Sequence, residues 1–151
     1  MLHASAVMTS AGAVAFVALS QGGKSALAAA LMVAGHSLLS DDMLPVAADG
    51  GRFLAYPGYP QMRMWPEQAQ HFVGDYQALE LVHPNFTKRR VPIGPAGWGT
   101  FCTFPQPLSA LYLLDRRSPA EYGITIKIAA VSLAQALFTL VGHSFAAPLI
   151  N

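Results

Sequence analysis

Residues 17–31 read "VALSQGGKSALAAAL". An apolar run enters a turn holding Gly22, Gly23 and Lys24, and an alanine-rich stretch leaves it. The part before the turn, "AVAFVAL" (13–19), is continuously apolar, as in a strand covered on both faces. The part after it, "KSALAAALMVAG" (24–35), is built of strong helix formers and ends on Gly35, which suits a helix C-terminus. The turn therefore joins a strand to a helix. The question is whether it also holds an anion.

A phosphate-binding loop follows G-x-x-x-x-G-K-[ST]. The eight residues here are Ala18, Leu19, Ser20, Gln21, Gly22, Gly23, Lys24 and Ser25. The last three positions match, and alanine stands at the first. Such a loop works because successive backbone N–H groups form a nest for anionic oxygens, and the following helix adds the partial positive charge of its N-terminus. Gly22 and Gly23 supply the backbone freedom. In that role Lys24 reaches the β- and γ-phosphates and the Ser25 hydroxyl sits on Mg²⁺. The setting between an apolar strand and an alanine-rich helix is the one this chemistry needs.

A phosphoryl-transferring site also needs a carboxylate near the metal. "HSLLSDDML" (36–44) supplies Asp41 and Asp42 at the end of a short apolar strand, 16 and 17 residues after Ser25. That separation fits a helix of about three turns, a turn at Gly35-His36, and a strand returning beside the loop. On a continuing strand the two carboxylates point to opposite faces; if the strand has ended, both converge. His3 lies early in "LHASAVMT" (2–9), a first strand expected to run beside the loop strand.

Further along, "DDMLPVAAD" (41–49), Gly50-Gly51 and "RFLAY" (52–56) read as a hairpin. "YPGYP" (56–60) is a rigid turn, "MRM" (62–64) a short strand, and "WPEQAQHFV" (65–73) a helix opened by proline and glutamate. "KRRVPI" (88–93) and "PLSALYLLD" (107–115) read as extended, and "SPAEYG" (118–123) as a capped helix start. A final helix over about 128–143 is expected to be amphipathic and mostly buried. Strands and helices alternate early, which indicates an α/β fold.

The chain has 151 residues, enough for one domain with a real core. It is 53% hydrophobic and only 11% charged, a composition apolar enough to raise a membrane span. "AGAVAFVAL" (11–19) is too short to span a bilayer, and no basic region precedes it as in a signal peptide. Residues 128–150 carry Gln135, His143 and Pro148, which favours a buried helix over a span. A cytoplasmic protein with no membrane span is expected, with a greasy surface that invites a homo-oligomer. A net charge of +1 gives no pull toward nucleic acid. Cys102 is the single cysteine and reads as a small buried hydrophobe.

The order "LHASAV … A-x-S-x-G-G-K-S … GHSLLSDDML" resembles the catalytic domain of the HPr kinase/phosphorylase family, and most of all its shorter serine-kinase relatives found beside bacterial peptide-modification genes. The resemblance covers residues 2–49 strongly and continues less distinctly through "YPGYPQMRMWPE" and "HPNFTKRRVPI". It implies a P-loop nucleoside-triphosphate-binding core shared with phosphoenolpyruvate carboxykinase, with a mixed sheet and a glycine-loop helix. It implies ATP and Mg²⁺ as cofactors and transfer of the γ-phosphoryl group to a serine of a small protein or peptide. It implies that Ser20, Gln21, Gly22, Gly23, Lys24 and Ser25 bind the nucleotide, that Asp41 is the general base, and that Asp42 lies with Ser25 at the metal. His3 matches the family's strand histidine, although Ala4 replaces the glycine that follows it. The arginine-glycine segment expected later has no clear counterpart, and relatives usually continue beyond both ends of this chain.

Of the remaining charges, Lys88-Arg89-Arg90 read as a solvated face or as a clamp on transferred charge, and Arg116-Arg117 as surface. Arg52 and Arg63 are candidates to approach the site. Trp65, Trp98, Tyr56 and Tyr59 read as packing. His36, His71, His83 and His143 lack metal-ligand spacing. A nucleotide-binding module without turnover and a plain ATPase are the competing readings.

Overall fold

The computed structural model describes residues 1–95, 97–115 and 126–145. Its architecture is mixed α/β. A six-stranded mixed sheet is formed by β1 (Ala4–Thr9), β2 (Gly12–Val17), β3 (Ser37–Ser40), β4 (Val46–Asp49), β5 (Arg52–Ala55) and β9 (Gln106–Leu113), in the spatial order β3-β1-β2-β9-β5-β4. A smaller antiparallel sheet has β6 (Gln61–Met64), β7 (Leu81–His83) and β8 (Phe86–Pro92) in the order β6-β8-β7. The helices are α1 (Lys24–Val33), α2 (Pro66–Phe72) and α3 (Leu133–Gly142).

The continuous apolar run of β2 has the cause that its sequence suggested. Ala13, Ala15 and Val17 point into one core with Ala4, Ala6, Leu39, Leu44 and Cys102. Phe16 points the other way, with Val7, Leu38 and the α1 residues Ala28, Ala29 and Met32. The period-2 alternation of strand side chains thus buries both faces. The second core is closed from beyond α1 by Met62, Met64, Ala69, Val91 and Ile93 of the small sheet and α2.

Strand direction assembles the site. β1 is antiparallel to both β2 and β3, so β2 and β3 run the same way with β1 reversed between them. The ends of β2 and β3 and the start of β1 therefore lie on one edge of the sheet. The glycine turn follows β2, Asp41 and Asp42 follow β3, and His3 precedes β1. A continuous chain stretch could not bring these three segments together, but this topology does.

Two expectations need correction. The last helix is shorter than 128–143, beginning at Leu133 behind a Ser132 cap, and none of its residues is buried. Leu133 is 77% and Phe138 82% exposed. The third strand returns beside β1, not directly beside the loop strand. Arg116, Arg117 and the 118–123 helix start lie outside the described residues. Among the described residues no helix is long and apolar enough to cross a membrane.

Candidate functional site

The turn after β2 is shaped by steric necessity at two positions. A Cβ on Gly22 would lie 2.5 Å from the Ala18 Cβ and 2.9 Å from the Leu19 oxygen, so no side chain fits. Gly23 adopts φ 90° at the N-cap of α1, a region that L side chains rarely enter. Gln21 takes φ 63° beside them. Gly22 N–H closes the turn onto the Leu19 oxygen at 3.0 Å. The first turn of α1 has no acidic residue and no side-chain cap, leaving its amide end open to an external anion.

Lys24 begins the helix but folds its side chain back. Its Nζ donates to the Ala18 and Leu19 carbonyls at 2.9 and 3.3 Å. Burial pushes its pKa below the usual 10.5; Asp41 and Asp42 pull it upward, and Lys88 adds to the lowering.

The two aspartates converge because β3 has ended. Met43 N–H donates to the Asp41 carbonyl at 2.9 Å around Asp42 at φ 72°. This is the rarer, strained kind of γ-turn. It turns Asp42 toward the cleft while Asp41 stays against the core. Asp41 Oδ1 accepts from Ser5 Oγ at 2.6 Å and from Ser25 Oγ at 2.9 Å, and its Oδ2 accepts from the Arg63 backbone N–H at 3.0 Å. Asp42 Oδ2 accepts from Arg63 Nη1 at 2.7 Å, and its Oδ1 lies 3.3 Å from His3 Nδ1. The two carboxylates therefore have separate partners: hydroxyls and an amide for Asp41, and a guanidinium and an imidazole for Asp42.

A strap of chain holds His3 from the other side. His3 N–H donates to the His143 carbonyl at 2.7 Å, and Phe145 N–H donates to the Met1 carbonyl at 2.8 Å. The His143 ring lies parallel to that of His3 at 6.5 Å, and Phe145 meets it edge-on at 5.8 Å. Partial burial, then the charges of Lys24 and His3, depress the His143 pKa below 6.5.

These groups line one cleft of about 500 Å³. Its walls are His3, the turn from Ser20 to Ser25, Asp42, and the Arg63, Trp65, Glu67, Gln68 and Lys88 side of the small sheet and α2. The cleft has the polarity for a phosphorylated ligand, whereas a second cavity, between Val73, Leu79, Val91 and Trp98, is apolar. Among the described residues no cluster of three or more His, Cys, Asp or Glu could hold a metal on its own. Ser25 Oγ and the Asp41 carboxylate do suit a Mg²⁺ that arrives with phosphates, since that ion takes one or two protein oxygens and fills the rest with phosphate and water.

Every candidate read from the first 42 residues is at this cleft or one hydrogen bond from it. Arg63 joins them, whereas Arg52 lies on the β4–β5 hairpin and does not line the cleft. Sequence reasoning passed over Ser5 and Phe145, read Trp65 as packing, and set His143 aside for want of metal-ligand spacing. Ser5 had a usable signal. It sits two residues after His3 in an apolar strand, so it shares that face, and a fully buried hydroxyl there needs a partner. His143 and Phe145 arrive by pairing across most of the chain and leave no local trace.

No family model and no curated protein matches this chain. Among solved structures it is similar over part of its length to the HPr(Ser) kinase/phosphatase from Coxiella burnetii, with a TM-score of 0.33 and 26% identity. The match covers 35% of this chain and spans about a third (32%) of that one. An overlap of this extent leaves function to be argued from the cleft itself.

Proposed function

We propose that the protein is an ATP-dependent kinase that transfers the γ-phosphoryl group to a serine of a small protein or peptide, using a P-loop core within one domain. The observation that carries this reading is the 2.9 Å bond from Ser25 to Asp41, which joins the end of the glycine turn to the acidic pair. A phosphate-binding turn alone would support binding only. A carboxylate on its terminal serine and a second one facing the same cleft support transfer.

In this reading the amides of the Ser20–Ser25 turn and the Lys24 ammonium hold the phosphates, with Lys24 leaving the Ala18 and Leu19 carbonyls when an anion arrives. Ser25 and Asp41 would hold Mg²⁺, which neutralises phosphate charge when bound. The resemblance implied the base at Asp41 and the metal at Ser25 and Asp42, and the hydrogen bonding favours exchanging the two aspartates. Asp41 already accepts three hydrogen bonds, while Asp42 faces the cleft. Asp42 takes the proton as the acceptor serine oxygen bonds to the γ-phosphorus and the bond from that phosphorus to the bridging oxygen breaks, releasing ADP. His3 orients Asp42 through its Nδ1. Positioning and charge neutralisation supply most of the rate in such a transfer.

Transfer of ³²P from γ-labelled ATP to a serine peptide tests the reading. Lys24→Ala and Asp42→Asn are each expected to abolish labelling, while Asp42→Asn keeps ATP binding. Full labelling by Asp42→Asn returns the base to Asp41. ATP binding without transfer to any serine acceptor supports the competing reading of a binding module, which the Arg63 contact with Asp42 favours.

A further inference from the structure

The wall facing the glycine turn carries a cation of its own. In the run Lys88-Arg89-Arg90 on β8, Arg89 donates to the Leu79 carbonyl at 3.0 Å and lies over Tyr76, and Arg90 reaches the Val82 carbonyl. Lys88 alone lines the cleft. Its ammonium stands 5.0 Å from the centroid of the Trp65 ring. Trp65 sits at the start of α2, where its backbone N–H donates to Gln68 Oε1 at 3.3 Å. An indole face both attracts an ammonium and restrains it.

Lys88 has no ion-pair partner among the described residues, whereas the Arg63 charge is matched by Asp42. Two ammonium groups, Lys24 and Lys88, thus line one cleft, and Lys88 disfavours the charge on Lys24. An anion between them turns that repulsion into attraction on both sides. In the reading above, Lys24 contacts the β- and γ-phosphates, and Lys88 lines the same cleft from the small sheet.

We propose that Lys88, held on the Trp65 ring, is a second phosphate-binding cation, directed at the terminal phosphate of a nucleoside triphosphate and so selecting triphosphate over diphosphate. This rests on the reading of the turn as a phosphate cradle.

Calorimetric titration of the unaltered protein, Lys88→Met and Lys88→Arg with Mg-ATP and Mg-ADP tests it. Loss of one charge-assisted contact predicts about tenfold weaker ATP binding by Lys88→Met. ADP binding is expected to stay within about twofold, because the contact is confined to the γ-phosphate. Lys88→Arg is expected to keep the preference for ATP. If Lys88→Met does not fold, Lys88→Gln makes the same comparison. Equal weakening toward both nucleotides, or no weakening, overturns the role of Lys88 and leaves the cradle standing. No binding of either nucleotide by the unaltered protein removes the cradle and the Lys88 role together.

Discussion

Ser25, at the start of the first helix, donates its hydroxyl proton to Asp41 at 2.9 Å, and Ser5 donates to the same carboxylate oxygen at 2.6 Å. The two serines come from different elements and differ in burial. Ser5 is fully buried and Ser25 is partly exposed.

That difference makes the two serines separable by mutation. Ser5→Ala removes a buried donor to a charged acceptor and is expected to lower unfolding stability by about 1.5–3 kcal/mol. Ser25→Ala is expected to lower it by about 1 kcal/mol or less, because water replaces the lost donor. Urea unfolding midpoints at constant slope measure both. Equal losses would mean that Asp41 is as wet on its Ser5 side as on its Ser25 side.

Asp42 is tested through its backbone. At φ 72° a side chain strains the chain by about 1–2 kcal/mol, and asparagine and aspartate tolerate it best. Asp42→Ala and Asp42→Gly both remove the contacts to Arg63 and His3, so their difference reports the backbone alone. The glycine variant is expected to be the more stable by about 1 kcal/mol. Identical thermal unfolding of the two would show that the turn is not left-handed.

Lys24 gives a pH signature. Its folded pKa lies below 10.5 because burial disfavours the ammonium. Between that lowered value and 10.5 the unfolded chain binds more protons than the folded one. The Lys24 contribution to stability therefore rises with pH through this window and is level above it. The stability of the unaltered protein minus that of Lys24→Met is expected to increase from neutral pH toward 10.5. A flat or falling difference would mean that the ammonium is not desolvated.

For α3 the expectation concerns dynamics. A ten-residue helix with no buried residue has little to hold it in isolation. Its backbone amides are expected to exchange with deuterium far faster than those of α1, whose Ala28 and Ala29 are fully buried. Protection equal to that of α1, increasing with protein concentration, would identify a second copy as its cover.

Much of the site was readable because it is encoded locally. The Gly22-Gly23-Lys24-Ser25 turn needs only its own residues, and the run before it betrayed a strand covered on both faces. The aspartates were readable as a pair, but their separate hydrogen-bond partners were not. That separation depends on the chain leaving β3 in a γ-turn, which "SDDM" does not announce. The small sheet's contribution was also hidden. Lys88 and Trp65 meet only because β6 pairs with β8, and neighbouring residues of the same basic run point elsewhere. α3 misled because an apolar helical sequence looks the same whether or not something lies against it.

The contacts of Met1, Leu2 and His3 with residues 143–145 span almost the whole described sequence. During synthesis on the ribosome, β1, β2, the glycine turn and both aspartates emerge early and can associate with one another. The backbone partner of His3 is made about 140 residues later. This corner is therefore completed late, and a chain cut before residue 143 carries the turn and the acidic pair with His3 lacking that backbone partner.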